Sequence, residues 1–218
     1  MRHEVVCISS QYGTGAQEAA QLVSGSLGFR LIDEDIVTRA AVEAGVDEVV
    51  VADVERRTSR VVRLVERLGT AGASAGYAIP GAEVASYGVP ASDDLRGVIR
   101  SVIEDTAASG SAVIISHAAS LALAERDDVL RVLLTAPPQT RERRLAATLG
   151  ANEKEAARAV KRSDAARADY MKRFYGISAE LPTHYDLVIN TEKLAPEDAA
   201  RLIVQAAGGR VDAQAAGV

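Results

Sequence analysis

The first 33 residues constrain the fold more than any later stretch. Val5-Val6-Cys7-Ile8-Ser9 is a short, mostly β-branched apolar run behind a polar N-terminus, and reads as a buried strand. Ser10-Gln11-Tyr12-Gly13-Thr14-Gly15 is rich in turn formers. A helical pattern then runs from Ala16 to about Leu27, where Gly28 stops it. Phe29 to Ile32 is a second short strand, ended by Asp33. Strand, turn, helix and strand in that order are the opening of a parallel α/β sheet.

The rest of the chain continues the alternation. Helical segments are expected at about 34–44 and 47–68. Gly69 to Ala91 then turns to Gly, Ala and Ser, carries Pro80 and Pro90, and has no stable period. Such a stretch reads either as a long functional loop or as surface disorder. Ser92-Asp93-Asp94 supplies a cap and an acidic first turn for a helix to about Ser109, closed by Gly110. Ala112–Ser116 and Val129–Thr135 are near-continuous apolar runs, as in strands covered on both faces. Pro137-Pro138 opens a basic helix, Gln139–Leu149, and Asn152 caps a longer one to about Tyr175, with Gly176 at its end. Leu187–Asn190 is the last strand and Pro196–Ala207 the last helix, with Pro in its first turn. The expected unit is a single domain over residues 1–208, followed by a disordered tail at 209–218.

Composition excludes several classes. The chain has 218 residues, and 30 acidic against 25 basic ones give a net charge of −5, which argues against a duplex nucleic-acid binder. A single cysteine, Cys7, rules out an internal disulfide framework and a multi-cysteine zinc site, and is expected in the core. No apolar run approaches the ~18–20 residues of a membrane span, and no signal-peptide pattern precedes the first strand, so a cytoplasmic location is expected. Hydrophobic residues reach 48% with only 4% aromatics, so the core must be built from Ala, Val, Leu and Ile. His3 and His184 are expected at the surface.

The first turn is the place to look for chemistry. A phosphate loop needs small residues, so that backbone N–H groups can wrap an anion in front of a helix N-terminus. The full signature, G-x4-G-K-[ST], adds a lysine for the β/γ-phosphates and a hydroxyl for Mg2+. Its four fixed positions fall on Ser10, Gly15, Ala16 and Gln17, of which only Gly15 matches. On residues alone, Gly13-Thr14-Gly15 is either a phosphate loop or an ordinary tight strand-to-helix turn.

The stretch from Ile8 to Glu18 resembles the opening of the cytidylate kinase-like family, whose pattern is close to I-S-R-E-Y-G-S-G-G-R-E. The resemblance continues at Leu31-Ile32-Asp33-Glu34-Asp35-Ile36-Val37, at Val129-Leu130-Arg131-Val132, and at Ala136-Pro137 followed by Arg141 and Arg144. It is strongest across Lys161-Arg162-Ser163-Asp164-Ala165-Ala166-Arg167-Ala168-Asp169-Tyr170, and closes at Tyr185-Asp186-Leu187-Val188-Ile189-Asn190-Thr191. These blocks keep their order and span nearly the whole chain. The resemblance implies a three-layer α/β P-loop NTPase-like domain with a parallel core sheet, a helical lid at about 139–176 and a flexible acceptor flap at about 69–91. It also implies ATP and Mg2+, with transfer of the γ-phosphoryl group to a small nucleotide such as CMP or dCMP.

Roles then follow residue by residue as implications of that resemblance. Ser10, Tyr12, Gly13, Thr14, Gly15, Ala16 and Gln17 would line the ATP phosphates. Arg141, Arg144 and Arg167 would be the lid cations that fold over them. Asp33 would orient the acceptor or, as plainly, cap the helix after it; His117 is a second acceptor candidate. Lys161, Arg162, Asp164 and Tyr170 are further lid candidates, although a charge-rich helix usually presents a solvated face. Asn190 and Thr191 would meet the nucleotide base or form a plain turn.

The departures bear on activity. Ser10 and Gln11 stand where the family carries Arg and Glu, Ala16 and Gln17 where it carries Gly and Arg, and Ser116 and His117 where it carries Gly and Arg. Three expected cations are missing, and a charge-assisted hydrogen bond is worth ~1.5–3 kcal/mol. The chain is thus either a kinase with compensating arginines or an impaired nucleotide-binding module. A third reading is an interaction protein. Val54, Thr58, Val61, Val65 and Leu68 follow the 4-3-4-3 spacing of a helix-pair seam, which suits a homodimer or ordinary core packing.

Overall fold

A computed structural model describes residues 3–33, 92–116 and 119–208. The expected helices at 34–44 and 47–68, the 69–91 loop, the Val54–Leu68 seam, His117 and the 209–218 tail lie outside the described residues.

Five strands, β1 (Val5–Ser10), β2 (Arg30–Ile32), β3 (Ala112–Ile115), β4 (Val129–Thr135) and β5 (Leu187–Asn190), form one sheet in the order β2-β3-β1-β4-β5. All four pairings are parallel, with Val5 opposite both Ala112 and Val129, Ile32 opposite Ile114, and Thr135 opposite Asn190. Side chains alternate across a strand, so each run feeds two cores. Val6, Ile8, Val132, Leu134 and Ile189 point to α1 (Ala16–Leu27) and α6 (Pro196–Ala206), meeting Ala19, Ala20, Val23, Ala199 and Ile203. Val5, Cys7, Ala112, Ile114 and Val129 point the other way, against Ile103 and Ala107 of α2 (Ser92–Ala108) and Ala119 and Ala122 of α3 (Ala119–Ala122). That is the three-layer α/β architecture expected. Alanine ridges on α1 and α6 let the helices lie close to the strands, and so a core almost without aromatic rings still closes.

Beyond the sheet, α4 (Pro138–Leu149) and α5 (Glu153–Tyr175) form a helical hairpin. Gly150 turns out of α4 at φ 62°. Asn152 starts α5 with a reciprocal cap: its Oδ1 accepts from Glu155 N at 3.0 Å, and its own N–H donates to Glu155 Oε2 at 3.3 Å. Leu145, Ala156 and Val160 make a small core between the two helices, and Tyr12 of the first turn packs into it.

Most predicted boundaries agree with the structure to one residue. Two short elements carry too little periodicity to be foreseen: α3 and a 3-10 turn, Pro182–His184. Both histidines expected at the surface are instead half-buried. His3 is drawn in because its backbone N–H donates to Ala207 O at 3.1 Å beside the start of β1, and His184 because its Nδ1 accepts from Leu181 N at 3.3 Å and caps the 3-10 turn. Cys7 sits in the core with no exposed surface, and burial pushes its thiol up to about 12.

Candidate functional site

A parallel sheet gathers its strand carboxyl ends along one edge, and open α/β sheets take their ligands there. The residues that end or follow the strands, Ser10, Asp33, Ser116, Ala136 and Asn190, therefore share one edge with the Gly13–Gly15 turn.

The turn has the backbone of an anion nest. Gly13 and Gly15 stand at φ 86° and 81°, in the left-handed region that a side chain disfavours. Space is as restrictive as torsion. A Cβ on Gly13 would lie 3.0 Å from Arg141 O and 3.1 Å from Arg141 Cβ; one on Gly15 would lie 3.2 Å from Pro196 Cγ. The loop is thus seated on α4 at one end and on α6 at the other. Thr14 is buried and folds the turn inward, its Oγ1 donating to Gln11 O at 2.8 Å. Gln11 is held by β4: its N–H donates to Leu134 O at 3.2 Å, and its Oε1 accepts from Thr135 Oγ1 at 2.6 Å. Helix α1 starts immediately afterwards with no side-chain cap. Its first N–H groups have no intrahelical acceptor, and the positive end of the helix dipole faces the turn. Both features favour an anion.

The three arginines expected on a lid all reach this turn. Arg141, 1% exposed, donates from Nε to Ala136 O at 2.9 Å and from Nη1 to Tyr12 O at 3.4 Å. Asp164 grips its two terminal nitrogens at 2.9 and 2.8 Å. Arg144 donates to Thr191 Oγ1 at 3.1 Å, to Thr191 O at 2.5 Å and to Thr14 O at 3.5 Å. The Thr191 hydroxyl in turn donates to Thr14 O at 3.0 Å. Arg167, 5% exposed, donates to Ser10 O at 3.1 Å while Glu180 grips its other edge at 2.8 and 2.5 Å. Burial alone would lower the Arg167 pKa, but the bond and charge of Glu180 raise it, so the guanidinium stays charged. Arg167 is not on a solvated face, because α5 turns it inward onto the end of β1.

A second layer stands behind Arg167. The Tyr185 hydroxyl donates to Glu180, and burial, then this bond and the Glu180 charge, push the phenol up to about 12. Ser9, fully buried at the end of β1, donates to Ser116 O at 3.2 Å and lies 3.3 Å from the Ser120 hydroxyl.

The remaining candidates divide. Ala16 is buried and Gln17 exposed, as befits the first two residues of a helix resting on the core. Lys161 and Arg162 are exposed on α5, away from the pairs just described. Tyr170 stacks with Phe174 and Tyr175, at centroid distances of 4.7 and 6.2 Å. Asn190 Oδ1 accepts from Glu192 N at 2.9 Å, which makes a turn, while the buried Thr191 joins the loop as above. Asp33 is half-buried at the end of β2.

Glu180 and Tyr185 were not singled out by sequence reasoning. Tyr185 opens the last resemblance block, which was a usable signal. Glu180 lies in the unpatterned link between Gly176 and Pro182 and carried none.

The donor set suits a phosphate better than a metal. Among the described residues no group of three or more His, Cys, Asp or Glu side chains could hold a metal ion. Gln17 stands where the signature puts its metal-binding hydroxyl, so Mg2+ would be held mainly by the phosphates it arrives with. No helix among the described residues is long and apolar enough to cross a membrane.

Comparisons with known proteins bear on family and fold. The model of the "Cytidylate kinase-like family" matches residues 5–193. A cytidylate kinase from Aeropyrum pernix is 36% identical over 107 residues, 49% of this chain and 61% of that protein, so the match spans less than two thirds of the relative. An uncharacterised protein from Eubacterium ventriosum superposes with a TM-score of 0.67 at 16% identity, over 96% of this chain and 100% of that one. A shikimate kinase from Bacteroides thetaiotaomicron gives a TM-score of 0.47 at 14% identity, over 93% and 97%.

Proposed function

The chain belongs to the cytidylate kinase-like family, and on that premise we propose that it binds a nucleoside triphosphate at the Gly13–Gly15 loop and transfers its γ-phosphoryl group slowly to a cytidine monophosphate or its deoxy form. The observation that supports this most is the loop itself: two left-handed glycines ahead of an uncapped helix N-terminus, at the carboxyl edge of a parallel sheet.

In that reading the triphosphate lies across the loop N–H groups, with its base toward Asn190 and Thr191. The acceptor enters from the side of Asp33. One oxygen of the acceptor phosphate forms a bond to the γ-phosphorus as the bond to the β-phosphate oxygen breaks, and the electron pair leaves with the diphosphate. Mg2+ bound to the triphosphate would supply charge neutralisation. The protein supplies alignment, oriented N–H dipoles and exclusion of water.

The rate is expected to be low for a specific reason. Ser10, Gln17 and His117 stand where the family carries arginines, and Arg141 and Arg167 are already paired with carboxylates. Dipoles hold a ground-state phosphate, but only interactions that strengthen in the transition state raise the chemical rate. This same pairing favours a second reading, a nucleotide-binding module without transfer. Isothermal titration with ATP and CMP, beside a phosphoryl-transfer assay, separates them. Binding of both with slow CMP-dependent ADP formation supports the kinase, and binding without turnover supports the module. No binding of any phosphate refutes both.

A further inference from the structure

Three arginines from two helices meet the loop at every second carbonyl: Arg167 at Ser10, Arg141 at Tyr12 and Arg144 at Thr14. Two further loop carbonyls are also taken. Gln11 O accepts from Thr14 Oγ1 at 2.8 Å and Gly15 O from Ala19 N at 3.1 Å. A peptide's N–H and C=O point to opposite sides, so capturing the Tyr12 and Thr14 carbonyls from behind turns the Gly13 and Gly15 N–H groups toward the open edge, while the Gln11 and Thr14 N–H groups are spent on Leu134 O and Gln11 O. An anion nest needs that arrangement, because a carbonyl oxygen turned inward would repel the ligand.

The manner of capture matters. Arg141 and Arg167 each carry a carboxylate in a two-point contact: Glu180 takes Nε and Nη2 of Arg167, leaving Nη1 to Ser10 O, and Asp164 takes both terminal nitrogens of Arg141, sharing Nη1 with Tyr12 O. Such a contact fixes the plane of the guanidinium and sets an opposite charge against it. A lid cation meant to follow a migrating phosphoryl group would be exposed and unpaired; these two are buried and paired.

We infer that Arg141, Arg144 and Arg167 are positioning residues, which hold the loop carbonyls away from the ligand and act through the loop without touching the nucleotide. Asp164 and Glu180 belong to the same device, since they aim two of the guanidiniums. The assignment rests on the proposed phosphate-binding role of the loop.

Replacing a carboxylate gives the two models opposite signs. If Arg167 were a phosphate ligand held in reserve, Glu180→Gln would release it and tighten triphosphate binding. If it positions the loop, the same change loosens its aim and weakens binding. The test titrates wild type, Glu180→Gln, Arg167→Lys and Arg144→Gln with inorganic phosphate, pyrophosphate and ATP. Hydrogen exchange at the loop amides is followed in parallel without ligand. Positioning predicts losses of about tenfold, similar for all three ligands, with faster exchange over residues 10–17. Arg167→Lys should lose as much as the other variants, since lysine keeps the charge but not the two-edged geometry. Tighter ATP binding by Glu180→Gln, rescue by lysine, or losses that grow with each added phosphate would overturn the assignment in favour of direct contact. Wild-type protein that binds none of the ligands refutes the phosphate-loop reading and this inference with it. Wild type that binds beside indifferent variants refutes only the inference. Arg144 is half-buried and Glu180→Gln is nearly isosteric, so these two keep the test available should Arg167→Lys fail to fold.

Discussion

Gly13→Ala tests the seating of the loop most directly. At φ 86° an alanine is placed in the left-handed region, at a cost of roughly 1–2 kcal/mol. Its Cβ would also stand 3.0 Å from Arg141 O and 3.2 Å from Arg141 Cα, which are backbone atoms of α4 and cannot rotate aside. Overpacking of that kind adds about 1–3 kcal/mol. The sum, roughly 2–5 kcal/mol, corresponds to a fall of very roughly 4–20 °C in melting temperature for a chain of this size. Gly25→Ala is the matched control. It lies inside α1 with nothing within 4 Å of the added carbon, so it should stabilise by about 0.5–1 kcal/mol. Thermal melts of the two variants beside wild type, with pyrophosphate titrations at a temperature where all are folded, make the comparison. Gly13→Ala should lose both stability and binding, whereas Gly25→Ala should lose neither. If Gly13→Ala melted within a degree of wild type and bound pyrophosphate normally, the loop would not be seated on α4 as described, and the geometric case for an anion nest would fail.

Other outcomes follow from the same structure. Ala16→Gly combined with Gln17→Arg restores the family pattern at an exposed side chain, and should raise phosphoryl transfer about tenfold or more, as expected for ~1.4 kcal/mol of added transition-state stabilisation; intact nucleotide binding with no gain in rate would place the defect elsewhere. Tyr185 has its folded pKa raised from about 10 to about 12, so the stability it contributes is complete below pH 10 and lost as pH rises through 12. Tyr185→Phe should flatten that part of a urea-midpoint-versus-pH profile, and an unchanged slope would count against the buried hydroxyl. Cys7 should resist iodoacetamide at pH 8 in the native protein and react in urea, because burial both hides the thiol and pushes it up to about 12; rapid native labelling would show that the sheet opens.

The fold was legible where local chemistry and packing agree. Val5–Ser9 and Val129–Thr135 are apolar without alternation because both faces of their strands are covered, and the sheet buries them on both. Gly28, Gly110 and Gly176 follow their helices in left-handed conformations, and glycine at those places is the signal that marks the helix ends in the sequence. Elements that owe their form to tertiary neighbours were not legible. Helix α3 is one turn long, too short for periodicity, and is set by packing against β1. The two histidines were misplaced because a polar residue beside a strand or a 3-10 turn is drawn in by a single backbone bond, which composition does not encode.

The site was legible as residue types and not as geometry, and the arginines show why. Sequence spacing put Arg141 and Arg144 on one face of a helix, and both do reach the loop from that face. Spacing does not reveal that Asp164, 23 residues on, or Glu180, 13 residues beyond Arg167, would pair with two of the three. A free arginine and a paired one are identical in sequence yet opposite in consequence. The first lends charge to a transition state, and the second lends shape to a loop. With Arg141 and Arg167 committed to carbonyls and carboxylates, the phosphate cradle proposed at the loop would rest on backbone dipoles. A site of that kind should discriminate weakly among phosphate esters by charge and strongly by fit, because N–H groups in a fixed nest tolerate little displacement.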